Sequence, residues 1–252
     1  MEFFEIENLN SIRKITINNP RKKNAMDRKA YLALATLLNK AATDETVKCV
    51  VLTGKGDFYS SGNDLTQDFG DFSNDSGTSG NDPLHLLIES FIKFPKLLVC
   101  LVNGPCIGIA ATSAALADII YCSENAYFYT PFTALGLCAE GCSSYLFPSI
   151  MGSSKASELL MLNHKLSARE AYEFQLVAHV YKNESEVWAK LKQIDKLPIG
   201  SIISNKKLIR RPMIEKLIKV NDEELKELQT RFESEEAIQA ILNFQSAKKS
   251  KL

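Results

Sequence analysis

Histidine is scarce in this chain: three occur in 252 residues, His85, His164 and His179, and they are scattered. That spacing leaves a histidine-based catalytic triad without support, so all three read as surface or packing residues. Cysteine occurs six times but never as Cys-x-x-Cys, and Cys138 and Cys142 have no histidine partners with which to hold zinc. Together with Cys49, Cys100, Cys106 and Cys122 they lie mostly in apolar runs, as small core hydrophobes do in a reducing compartment. Gly104 and Gly108 do not have the spacing of a dinucleotide-binding turn, and no phosphate-loop pattern occurs. Net charge is absent as well: 30 basic residues face 30 acidic ones, which argues for neither nucleic acid nor a membrane surface as partner. No apolar run approaches the length of a membrane span. The charged, strand-like stretch from Glu5 to Ile17 has the character of neither a secretory signal nor a transit peptide.

Hydrophobic residues make up 45% of the chain, enough for a substantial core in one domain or slightly more. Apolar periodicity predicts strands over 11–18, 47–53 and 97–102 and helices over 27–43, 83–94 and 108–116. Short strands follow near 118–122 and 126–129, with mostly helices from 142 onward. Alternation of strand and helix indicates an α/β fold with a parallel-rich core. From Ile214 to Phe244 apolar residues recur at helical spacing among many charges, so the chain divides into a core at 1–195 and a helical region at 196–252. The stretch 66–82, rich in Asp, Asn, Ser and Gly, reads as a mobile loop.

Two of the strands run into glycine-bearing turns. Val50–Thr53 leads to Phe58-Tyr-Ser-Ser-Gly-Asn-Asp-Leu65, and Leu97–Val102 leads to Asn103-Gly-Pro-Cys-Ile-Gly-Ile-Ala110. A strand-to-helix turn leaves backbone N–H groups unpaired. Two such turns can aim two donors at one carbonyl oxygen and stabilise the negative charge that forms when a neighbouring C–H loses its proton. Either turn alone is equally an ordinary connection. As an ordered set, with Asn19-Pro-Arg-Lys-Lys-Asn-Ala-Met26, Ala117-Asp-Ile-Ile-Tyr-Cys122 and Lys165-Leu-Ser-Ala-Arg-Glu-Ala171, they resemble the crotonase (enoyl-CoA hydratase/isomerase) superfamily over residues 3–185.

That resemblance implies a crotonase-like spiral core of parallel-rich βαβ units and a C-terminal helical region for oligomerisation, giving a homotrimer or a pair of trimers. It implies a fatty acyl-CoA thioester as substrate, with coenzyme A part of that substrate and with no separate cofactor or metal. The two oxyanion N–H donors map to Ser61 and Ile109. Ala25, Ser60, Ser61, Gly62, Asn63, Asp64, Leu65 and Gly108 would line the substrate, and Arg21, Lys22 and Lys23 would meet coenzyme A phosphates at the rim. The later basic cluster, Lys206 to Arg211, reads as solvated surface. The 66–82 loop leaves directly from the first turn, so Phe69 and Phe72 are candidate contacts to the acyl chain.

Hydratases of the family carry two glutamates where this chain has Thr112 and Phe132, which disfavours water addition. One acid remains, Glu140 in Thr133-Ala-Leu-Gly-Leu-Cys-Ala-Glu-Gly-Cys-Ser-Ser144, where the family's Δ3,Δ2-enoyl-CoA isomerases place their catalytic glutamate. Its apolar neighbours Leu137, Ala139 and Cys142 suit a raised pKa, although an acid before a helix also complements the helix dipole. The expected activity is conversion of 3-enoyl-CoA to trans-2-enoyl-CoA, with Glu140 as single base and acid. The alternatives are a dienoyl-CoA isomerase, an acyl-CoA hydrolase or a non-catalytic CoA-binding module. The chain ends in Ser250-Lys251-Leu252, the address read by the peroxisomal import receptor, so the peroxisome matrix is the expected location.

Overall fold

The computed structural model describes residues 3–64 and 82–249. Leu65, the loop residues 66–81 with Phe69 and Phe72, and the Ser250–Leu252 tripeptide lie outside the described residues. β1 (Phe4–Leu9) and β2 (Ile12–Ile17) form an antiparallel hairpin closed by Asn10 and Ser11, with Asn10 in the left-handed region at φ 53°. An asparagine tolerates that conformation, which a two-residue hairpin turn requires. The strand-like stretch read from Glu5 to Ile17 is therefore two strands.

From β2 the sheet continues in parallel through β3 (Cys49–Gly54), β4 (Leu97–Val102), β6 (Ile119–Ser123) and β9 (His179–Tyr181), in the order β1-β2-β3-β4-β6-β9. Its central strands are apolar without alternation because both faces are covered. On one face Ile15, Val50, Leu52, Leu98 and Cys100 join a core with α1 (Arg28–Thr43) and α2 (Pro83–Lys93). On the other, Ile12, Cys49, Val51, Val99 and Leu101 meet Val187 and Leu191 of a later helix, α7 (Glu184–Leu191). Both α1 and α2 start at an aspartate: Asp27 accepts the Ala30 N–H, and Asp82 accepts those of Leu84 and His85. A second sheet combines β5 (Cys106–Ile107), β7 (Tyr127–Tyr129) and β8 (Leu166–Ser167). β8 and β9, two and three residues long, are too short to show a period and interrupt the helices expected after 142.

The remaining helices are α3 (Ile109–Ala114), α4 (Ser143–Met151), α5 (Ser153–Met161), α6 (Ala168–Glu173), α8 (Ile199–Phe232) and α9 (Glu235–Lys249). α8 has 34 residues and passes through Pro212, inside the helical region expected over 196–252. Its first half is fastened from the side. Lys206 is buried and donates to Asp118 Oδ2 at 2.7 Å and to the Lys96 carbonyl at 2.8 Å. Arg210 donates to the Leu116 and Ala117 carbonyls, both at 2.7 Å. These anchors correct the expectation that the basic cluster is solvated; Lys207 and Arg211 alone are exposed as charged surface. All six cysteines are free thiols, five of them buried and Cys138 partly so.

Candidate active site

The two glycine turns touch. Ser60 donates its N–H to the Pro105 carbonyl at 3.2 Å and accepts the Ile107 N–H at 3.0 Å. Gly62 has φ 84°, and a Cβ there would stand 2.6 Å from the Ile107 carbonyl oxygen, so glycine is what lets the strands of the two turns meet. The first turn is also stitched to the segment before α1: Met26 donates to the Gly62 carbonyl at 2.8 Å, and Asp64 donates to the Met26 carbonyl at 2.9 Å. Buried Asn24 completes the seam, donating to the Lys55 and Phe58 carbonyls at 3.0 and 2.7 Å.

This pairing corrects one expected donor. The Ser61 N–H is spent on the Lys23 carbonyl at 2.9 Å, so it is no oxyanion donor. In the bridge between Met26 and Asn63 the carbonyl of Gly62 and the N–H of Asp64 face Met26, which turns the N–H of Asn63 to the other side. Among the described residues that N–H meets no acceptor. Across the contact, Gly108 donates to the Tyr129 carbonyl at 2.8 Å, while the Ile109 N–H, opening α3, likewise meets no acceptor among the described residues. The structure thus brings Ser60, Gly62, Asn63, Asp64, Gly108 and Ile109 together and exchanges Ser61 for Asn63 as the unpaired donor.

The basic rim lies beside them. Arg21, Lys22 and Lys23 are exposed on and just after a single 3-10 turn, with Ala25 buried behind. Lys22 forms an ion pair with Asp64 at 2.6 Å, and the Lys23 ammonium sits 5.1 Å from the Phe58 ring centroid.

Glu140 is 5% exposed. Its Oε1 accepts the Thr112 hydroxyl at 2.9 Å, and its Oε2 is buried without a hydrogen-bond partner among the described residues. Burial pushes its pKa up to about 8, opposed by the Thr112 hydrogen bond and reinforced by the carboxylate of Glu224. Gly141, at φ 66°, makes the approach feasible, because a Cβ there would fall 2.5 Å from Thr112 Oγ1. Thr112 lies three residues after Ile109, about 4.5 Å along the helix axis. The residue that holds the Glu140 carboxyl and the Ile109 N–H therefore share one turn of α3. Phe132 is buried and brings no acid.

Sequence reasoning missed Glu224. It sits on α8 within Asn221-Asp-Glu-Glu224, a run that reads as charged surface, yet it is buried. Its Oε2 accepts the Cys142 N–H at 2.6 Å and its Oε1 the Ser144 N–H at 2.8 Å. No local pattern announces it, since its partners are some 80 residues away in the chain. The histidines stand apart from Glu140: His85 pairs with Asp222 at 3.0 Å and His164 with Glu170 at 2.9 Å.

Known proteins resemble this chain over most of its length. Enoyl-CoA delta isomerase 2 of Rattus norvegicus is 46% identical over 246 residues, 94% of this chain and 62% of that protein. Enoyl-CoA delta isomerase 3, peroxisomal, of Mus musculus is 44% identical over 239 residues, 92% of this chain and 75% of that one. The solved structure of Pseudomonas aeruginosa OdaA superposes with a TM-score of 0.91 at 30% identity, covering 97% of this chain and 99% of its own. The chain thus spans less than two thirds of the rat relative's length. Residues 7–251 match the enoyl-CoA hydratase/isomerase family, and with that match, the shared fold and the paired turns, the chain belongs to that family.

Proposed function

We propose that this chain is a Δ3,Δ2-enoyl-CoA isomerase that moves a C=C bond of a 3-enoyl-CoA thioester to the trans-2 position. One observation carries the proposal: the buried carboxyl of Glu140 is held by Thr112, one helical turn after Ile109, whose N–H meets no acceptor among the described residues. The thioester oxygen sits between the N–H groups of Asn63 and Ile109, which acidifies the C2 proton. Glu140 takes that proton, the C2–H electron pair enters a dienolate, and charge gathers on the oxygen facing the two donors. The protonated carboxyl then returns the proton at C4, so one residue serves as base and then acid. Each donor contributes about 3 kcal/mol to lowering the barrier, and the acid–base step contributes roughly 10²- to 10⁴-fold.

Thr112 suits both states of that carboxyl. Its hydroxyl donates to Glu140 Oε1 at 2.9 Å, a bond that serves the ionised carboxylate and equally the carboxylic acid whose proton is on the other oxygen. The Oε2 atom, without a partner among the described residues, is the one that carries the proton. The absence of a second acid at Thr112 and Phe132 supports isomerisation over hydration. The proposal includes coenzyme A phosphates at Arg21, Lys22 and Lys23, which the Lys22–Asp64 pair orients, and assembly as a trimer or paired trimers. It also includes the peroxisome matrix, on the Ser250-Lys251-Leu252 tripeptide and the peroxisomal name of the mouse relative.

The test is conversion of trans-3-hexenoyl-CoA to the 2-enoyl thioester, followed by ultraviolet absorbance, with Glu140→Gln alongside. Conversion by the parent and a loss of several orders of magnitude in the variant are expected. Equal rates would remove Glu140 from the mechanism, and no turnover with coenzyme A binding intact would favour a binding module.

A further inference from the structure

We propose that Glu224 is a positioning residue of the active site: from the long helix α8 its carboxylate clamps the backbone N–H groups of Cys142 and Ser144, two and four residues after Glu140, and so holds the base against α3. The inference rests on the isomerase reading of Glu140.

The geometry is that of a cap supplied from a distance. α4 begins at Ser143 behind Cys142, which offers it no side-chain hydrogen bond. The orphan N–H groups of that first turn would be buried and unpaired, a cost of about 1–3 kcal/mol each. Glu224 takes two of them, the Cys142 N–H at 2.6 Å and the Ser144 N–H at 2.8 Å, one on each oxygen. A plain cap needs no such precision at its back, but Cys142, which it grips, is separated from the base by Gly141 alone. Gly141 and Cys142 are both left-handed, at φ 66° and 64°, and for cysteine that conformation persists only where the surroundings impose it. α8 imposes it twice, because the Cys142 thiol also donates to the Leu217 carbonyl at 3.3 Å. The double turn is what swings Glu140 back so that its Oε1 reaches Thr112. Glu224 is buried with a backbone N–H on each oxygen, and its contacts lead to the loop of Glu140, so its action passes through Glu140.

Its charge acts in the same place. Glu140 faces Thr112 from α3 and Glu224 from α8, while the Cys138 and Cys142 thiols flank it on its own loop. Glu227 and Asp222 of α8 bear on those thiols, and Asp222 is paired with His85 of α2, the helix whose Ile88 lies against Gly141. Among these groups Glu224 is the carboxylate that raises the pKa of Glu140. It thereby keeps the base able to hold the proton it removes.

The experiment compares the parent with Glu224→Gln and Glu224→Asp, reading kcat, KM, the pH profile of kcat/KM and the melting temperature, with Glu140→Gln as control. For Glu224→Gln, kcat falls about 10- to 100-fold while KM stays within about threefold. Its acid limb also moves to lower pH, because a negative charge beside Glu140 is gone. For Glu224→Asp, which keeps the charge one methylene short, kcat falls while the acid limb stays. A folded Glu224→Gln protein with parental kcat and pH profile, altered only in melting temperature, would show a structural cap and overturn the proposal. If Glu224→Gln does not fold, Glu224→Asp decides alone: parental kcat overturns the proposal, and reduced kcat at parental KM supports it. An inactive Glu140→Gln beside a parent-like Glu224→Gln removes this inference alone, whereas a parent without turnover removes the isomerase reading with it.

Discussion

Glu140 shows how a single buried acid sets conflicting demands. The folded protein holds its proton up to about pH 8, while the unfolded chain releases it near 4.5. Between those values the folded state binds more protons than the unfolded one, so this residue's contribution to stability declines as pH rises through that window. Glu140→Gln removes the conflict: its melting temperature should exceed the parent's, by more at pH 8 than at pH 5, with a difference of up to about 4 kcal/mol at the upper end. The Thr112 hydrogen bond lowers the same pKa, so Thr112→Val should move the acid limb of kcat/KM to higher pH, the reverse of Glu224→Gln. Ile109→Pro deletes one oxyanion donor at the first helical position, where proline is tolerated, and should cost about 10²- to 10³-fold in kcat with the fold retained. Glu140 and Ile109, both named from the sequence, are joined in the structure through the Thr112 hydroxyl. The first donor was placed two residues off, at Ser61, because a backbone N–H has no side-chain signature and only the pairing with Lys23 and Met26 shows which way each N–H points.

Among the elements, the strands and helices with long periods were legible: β3, β4, α1 and α2 fall within one or two residues of their expected spans. β8, β9 and the hairpin break at Asn10 were not, since two or three residues carry no period. α8 falls within the helical region expected from 196, although its apolar period is legible only from Ile214 and Pro212 removes one helical hydrogen bond. What carries the helix through is side-chain anchorage ahead of the proline, at Lys206 and Arg210. Lys206→Met, which leaves Asp118 with a weakened set of partners, should destabilise the protein by about 3 kcal/mol in urea titration, with KM for substrate unchanged. Gly62→Ala should be worse placed than any surface change: positive φ and a Cβ against the Ile107 carbonyl together cost about 2 kcal/mol or more and part the two turns.

Across the whole molecule, the parts of the proposed site come from four separated places: Asn63, Ile109, Glu140 and Glu224. They converge because the parallel strands deliver two turns to the same sheet end while α8 returns across the later loop. A chain stopped at residue 195 keeps Glu140 and both oxyanion turns but loses α8. It should lack isomerase activity, and a separately supplied 196–252 segment should restore part of it; this is checked by the same absorbance assay. The clamp of Glu224 on Cys142 and Ser144 therefore has a bearing on inheritance. A tail exchanged between two relatives by recombination brings its own residue at 224 to a loop shaped around another, so the tail and the base loop must change together. In a set of such chimeras, activity should follow the matched pair and not the parentage of either half.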